Sequence, residues 1–90
     1  MAEIKIEKPD EEKLESMNVR NWGTWECEPS SFDWEYDSDE RAYVLEGKVR
    51  VTPEGGSAVE IGKGDLVLFP KGMKCKWDVV EKIRKHYRFE

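Results

Sequence analysis

Two stretches decide the fold: Glu40-Arg41-Ala42-Tyr43-Val44-Leu45-Glu46-Gly47 and Gly64-Asp65-Leu66-Val67-Leu68-Phe69-Pro70-Lys71-Gly72-Met73-Lys74-Cys75. Each holds a continuous apolar run, Ala42 to Leu45 or Leu66 to Phe69, of strand length and covered on both faces. The neighbouring segments alternate instead. From Phe32 to Asp37 the aromatic residues Phe32, Trp34 and Tyr36 are interleaved with Asp33, Glu35 and Asp37. From Lys74 to Val79 the apolar set is Cys75, Trp77 and Val79, set against Lys74, Lys76 and Asp78. Side chains two apart share a face of a strand. Trp34, Tyr36, Cys75 and Trp77 are therefore expected to point inward, shielded, and Asp33, Glu35, Lys74 and Lys76 outward. Glu40 shares its face with Ala42 and Val44.

Turn signals recur outward from these strands: Pro29-Ser30-Ser31, Asp37-Ser38-Asp39, Glu46-Gly47-Lys48, Pro53 to Gly56, Gly62-Lys63-Gly64, Pro70-Lys71-Gly72 and Glu81-Lys82. A spacing of roughly ten residues is that of an all-β sandwich or barrel. Ahead of it, Ile4 and Ile6 alternate with Glu3, Lys5 and Glu7, which predicts a short half-buried strand ended by Pro9. Asp10 followed by Glu11 and Glu12 predicts an N-cap and one short helix reaching about Met17. The expected organisation is one domain over residues 1–90, with an N-terminal strand and helix over 1–19 and the barrel over 20–90. Strands that are apolar on both faces need an outer cover. The N-terminal segment supplies part of it, and a second copy of the chain, hence a homodimer, is expected to supply the rest.

Composition narrows the partners. A chain of 90 residues buries only about 60 to 65% of the surface its unfolded form exposes. Its ten aromatic residues, four of them Trp, compensate by burying large areas each. The formal charge of −5 opposes a phosphate backbone, so nucleic acid is not an expected partner. No apolar run approaches the roughly 18 residues of a membrane span, and the charged start lacks a secretory apolar region. A cytoplasmic protein without membrane contact is expected. Cys27 and Cys75 are distant, show no C-x-x-C spacing, and are read as reduced thiols.

The paired motifs resemble those of the cupin superfamily, small jelly-roll β-barrels in which the first motif gives a metal two His and a Glu and the second a third His. Aligning Glu40 and Gly47 with the first motif puts its His positions at Trp34 and Tyr36. Aligning Gly64, Pro70 and Gly72 with the second puts its His at Cys75. Only the Glu survives, so the resemblance implies a cupin jelly roll without the usual metal centre. The stretches from Phe32 to Asp37, Phe69 to Trp77 and Arg84 to Tyr87 are similar to the ureidoglycine-aminohydrolase-like branch of the cupins. That branch is named for a two-domain manganese enzyme that releases ammonia from ureidoglycine, and this chain lacks the ligands of its metal-binding half.

The candidate site follows from these placements. Glu40, a carboxylate among apolar groups, suits a general acid or base, or else a structural role bonded to Tyr36 or a backbone amide. Cys75 is a candidate nucleophile or a buried thiol that acts as a small hydrophobe. Trp34, Tyr36, Glu40, Cys75 and Trp77 are expected to line a pocket, its aromatic surfaces suited to stacking a planar or sugar-like molecule, or simply to fill the core. No cofactor or metal is expected, because Glu40 and Cys75 are too few. Were a metal held, Glu40, Cys75 and His86 would hold it. Alternation groups His86 with Arg84 and Arg88, opposite Lys85, Tyr87 and Phe89, and leaves its burial open. Three functions are compatible with this set: metal-independent binding of a small organic molecule, hydrolysis using Glu40 with or without a metal, and a structural or interaction module.

Overall fold

Two long antiparallel strands, Glu40–Pro53 and Lys74–Phe89, form the spine of the molecule. The computed structural model describes residues 4–90, so Glu3, counted in the first expected strand, lies outside the described residues. In chain order the elements are β1 (Lys5–Glu7), α1 (Glu11–Ser16), a 3-10 turn (Val19–Asn21), β2 (Gly23–Cys27), β3 (Ser30–Glu35), β4 (Glu40–Pro53), β5 (Val59–Gly62), β6 (Leu66–Phe69) and β7 (Lys74–Phe89). Both long strands serve two half-sheets. The first parts of β4 and the last of β7 carry β6, β1 and β2 in the order β1-β6-β4-β7-β2, while their other ends carry β5 and β3. Every pairing is antiparallel. The halves fold over one another, since Trp25 of β2 lies 6.5 Å from Phe32 of β3 and Phe69 of β6 lies 5.8 Å from Trp77. This is the jelly roll expected from the sequence.

Two expected turns are bulges inside continuous strands. The β4–β7 register shifts between Val44 and Val49, so Glu46-Gly47-Lys48 and Glu81-Lys82 bend the pair without ending it. Gly47 is required there. Its φ is +94°, and a Cβ on it would lie 2.1 Å from the Lys82 carbonyl oxygen. A bulge of this kind strengthens the local twist and so lets two strands line both halves.

The interior is apolar: Ala42, Val44, Val49, Val51, Ile61, Val67, Phe69 and Ile83 are all buried. Asp10 caps α1, its side chain accepting from the Lys13 amide at 2.9 Å. The helix and the turn after it lie beside the outer-face residues Tyr43, Leu45 and His86, and Val19 there is fully buried. The N-terminal segment thus covers part of the outer face, as its alternative source of burial required. Ile6 departs from expectation: among the described residues β1 pairs with β6 alone, so Ile6 sits at a sheet edge and is exposed. No helix among the described residues is long and apolar enough to cross a membrane.

Candidate functional site

The inward faces of β2, β3, β4 and β7 enclose a cavity of about 240 Å³. Register determines its walls. Phe32 pairs with Trp77 and Trp34 with Cys75 across β3 and β7, and Trp25 pairs with Lys85 across β2 and β7. Paired residues share a face, so Phe32 stacks on Trp77 with centroids 6.0 Å apart, and Trp25 meets Trp77 edge-on at 5.9 Å. Tyr36 stacks on Phe69 at 4.9 Å, and its hydroxyl accepts from Trp77 Nε1 at 3.1 Å. Seven of the nine lining residues are aromatic, and the other two are Glu40 and Lys85. That pair supplies the only ionisable groups of the lining besides the Tyr36 and Tyr87 phenols.

Lys85 Nζ donates to Glu40 Oε2 at 2.6 Å, with both side chains buried. The ammonium also lies 4.8 Å from the Trp77 ring centroid and 5.1 Å from that of Trp25, within reach of cation–π attraction. Burial pushes the Lys85 amine below the ordinary lysine range, against the opposing pull of the Glu40 charge. Tyr36 moves the other way. Burial raises its phenol well above the usual tyrosine value, and the nearby Glu40 charge adds to the rise. Burial shifts both groups toward their neutral forms for the same reason, the loss of water around a charge.

The expected site residues divide. Tyr36, Glu40 and Trp77 line the cavity and are buried, while Asp33, Glu35, Lys74 and Lys76 are exposed. Trp34 also lines it but is 48% exposed, because it lies one residue from the end of β3, where its ring meets Tyr36 edge-on at 6.4 Å and otherwise faces solvent. Cys75 is buried on the inward face yet does not line the cavity. Its Sγ donates to the Trp34 carbonyl at 3.6 Å, and burial raises its thiol above the ordinary range. Glu40 bonds neither Tyr36 nor a backbone amide, since Lys85 takes its carboxylate. His86 faces outward beside α1, its Nδ1 3.2 Å from Thr24 Oγ1.

These donors do not fit a resident metal. Glu40 is already neutralised by an ammonium, the Tyr36 oxygen accepts a hydrogen bond, and Cys75 and His86 point to two other places. Among the described residues no three His, Cys, Asp or Glu side chains converge.

Lys85 is the charged cavity residue absent from the set expected from the sequence. Its signal was present, for alternation groups it with Tyr87 and Phe89, both of which line the cavity. What alternation cannot supply is its partner, because Glu40 is distant in sequence and pairs with Phe89, not with Lys85, in the β4–β7 register, so that only their inward-pointing side chains meet.

The jelly-roll topology with a cavity facing inward from β3, β4 and β7 is that of a cupin barrel, one of the classes built on this roll. Residues 14–87 match the model of the EutQ-like cupin domain, and the chain belongs to that family. A DUF861 family protein from Thermotoga maritima is 56% identical, with a TM-score of 0.96 over 98% of this chain and 100% of that one. The EutQ protein of Clostridium difficile is 32% identical by structure, with a TM-score of 0.66 over 72% of this chain and 51% of its own. Acetate kinase EutQ of Clostridioides difficile (strain 630) is 32% identical over 74 residues, which are 82% of this chain and 46% of that protein. The chain thus spans about half the length of this curated relative.

Proposed function

We propose that the chain binds a small, planar, uncharged organic molecule in the aromatic cavity, without a metal. The observation that carries this is the Glu40–Lys85 ion pair set among aromatic walls. The pair is neutral overall, so an ionic ligand would lose its water and gain no net opposite charge. A planar amide-like edge is better matched. Lys85 Nζ has donors beyond the one given to Glu40, and Glu40 Oε1 has no protein partner among the described residues, so the pair presents a donor and an acceptor side by side. The rings supply stacking surface for the ligand's flat body.

Benzamide is a direct probe, with benzoate as its charged counterpart. Benzamide is expected to quench tryptophan fluorescence saturably, and benzoate to bind at least about tenfold more weakly. Trp77→Ala is expected to weaken benzamide binding more than Lys76→Ala does. Tighter binding of benzoate would overturn the reading.

A hydrolytic role of the ureidoglycine-aminohydrolase-like kind is the second reading, favoured by Glu40 in a cavity suited to amide-like groups. Its test is ammonia release from ureidoglycine, lost in Glu40→Gln. The kinase activity named for the C. difficile relative is not carried over, because this chain spans about half of that protein and its cavity offers one cation, already neutralised.

A further inference from the structure

Recognition alone does not call for an amine at position 85. Neutral amides at both positions, a glutamine for Lys85 and another for Glu40, would offer a donor and an acceptor without burying any charge, which is costly even when paired. A lysine differs in that it can give up its proton and become a nucleophile, which an apolar pocket encourages. Lys85 is the one buried lysine among the described residues, and its Nζ faces the cavity beside a carboxylate 2.6 Å away.

We propose that Lys85 captures small aldehydes or ketones as a Schiff base, with the flat apolar body of the carbonyl compound held between Trp77 and its aromatic neighbours and Glu40 carrying the protons. The inference rests on the binding reading, since both use one cavity. The steps balance without oxidant or reductant. The ammonium proton passes to Glu40, and the freed nitrogen lone pair forms a bond to the carbonyl carbon. The π pair of the C=O bond moves to oxygen, which takes the proton from Glu40. Glu40 then receives a proton from the nitrogen and returns it to the hydroxyl, the C–O bond breaks, and water leaves as the C=N bond forms. The product is a protonated imine paired with the Glu40 carboxylate, so the charge of the site is unchanged. Burial, which already disfavours the Lys85 ammonium, works toward the first step.

The test uses benzaldehyde with cyanoborohydride on the whole protein, read by peptide mapping. Lys85 is expected to gain one benzyl group at least about tenfold faster than any other lysine, and saturating benzamide to suppress that labelling alone. This comparison lies within the unaltered protein and needs no variant to fold. Glu40→Gln is expected to slow Lys85 labelling by a similar factor while labelling of the exposed lysines stays unchanged. Labelling of Lys85 no faster than that of exposed lysines, with benzamide bound, overturns this inference and leaves the binding reading standing. Rapid labelling of Lys85 without benzamide binding does the reverse, and failure of both probes overturns both.

Discussion

Lys85 and Glu40 lie on different strands, yet their Nζ and Oε2 atoms are 2.6 Å apart in an interior otherwise built from aromatic and aliphatic groups. Removing one member leaves the other charge buried and unpaired, which costs about 3 to 5 kcal/mol. Lys85→Ala or Glu40→Ala should therefore bring a domain of this size close to unfolding. Replacing both, Glu40→Leu with Lys85→Met, should restore most of the stability while abolishing benzamide binding. Urea denaturation of the three variants checks it, and additive losses in the double variant would show that the two charges do not act as a pair.

Tyr36 should give an alkaline signature. Its phenol is raised by burial, so below about pH 10 it is neutral whether the chain is folded or not. Above that the unfolded chain ionises while the folded chain resists, and stability falls as pH rises. Lys85 acts in the opposite sense, its burial penalty being relieved as pH climbs from its lowered folded value toward about 10.4. In an ultraviolet titration one of the three tyrosines should yield phenolate only on unfolding, and Tyr36→Phe should remove that step. Complete reversible ionisation of all three in the folded protein would contradict it.

The two thiols should be distinguishable. Cys27 is half-buried on β2, whereas Cys75 is buried, hydrogen-bonded to Trp34 and raised away from its thiolate form. Iodoacetamide should modify Cys27 first and Cys75 at least about tenfold more slowly in the folded protein. Mass mapping of a time course decides it. Faster reaction at Cys75 would restore its candidacy as a nucleophile.

Gly47 and Gly55 offer a matched comparison. Both have positive φ, +94° and +76°, but a Cβ at Gly47 would strike Lys82 backbone whereas one at Gly55 meets open space. Gly55→Ala should cost about 1 to 2 kcal/mol, the price of the left-handed conformation. Gly47→Ala should cost more than about 3 kcal/mol, because strain is joined by a backbone collision that only a rearranged bulge can relieve. Thermal melts of the two variants give the difference directly.

Alternation was enough to place Tyr36, Cys75 and Trp77 inside and Lys74 and Lys76 outside, because one side of each strand is buried and a slip of one residue would reverse every position. It could not place Trp34 at an open mouth, since exposure there depends on where β3 ends and what lies over it. Glu46-Gly47-Lys48 reads as a turn in sequence, for bulges and turns draw on the same residues. Only the β4–β7 register tells them apart. Cys75 shows the same limit: sequence can suggest a face, but whether a side chain on that face reaches the cavity depends on the curvature of the sheet.

Because Lys74–Phe89 belongs to both half-sheets, the two walls of the cavity share one covalent backbone and cannot part like jaws. Were a guest to bind as proposed, its admission would fall instead to the rim, where Trp34 and Phe89 are the exposed aromatic groups. Rotamer changes of exposed side chains take picoseconds to nanoseconds, far less than a hinged closure. On the proposed binding role, the cavity would be a stiff cup with a quick gate, filling and emptying without any large movement of the chain unless a covalent bond to Lys85 holds the guest in place.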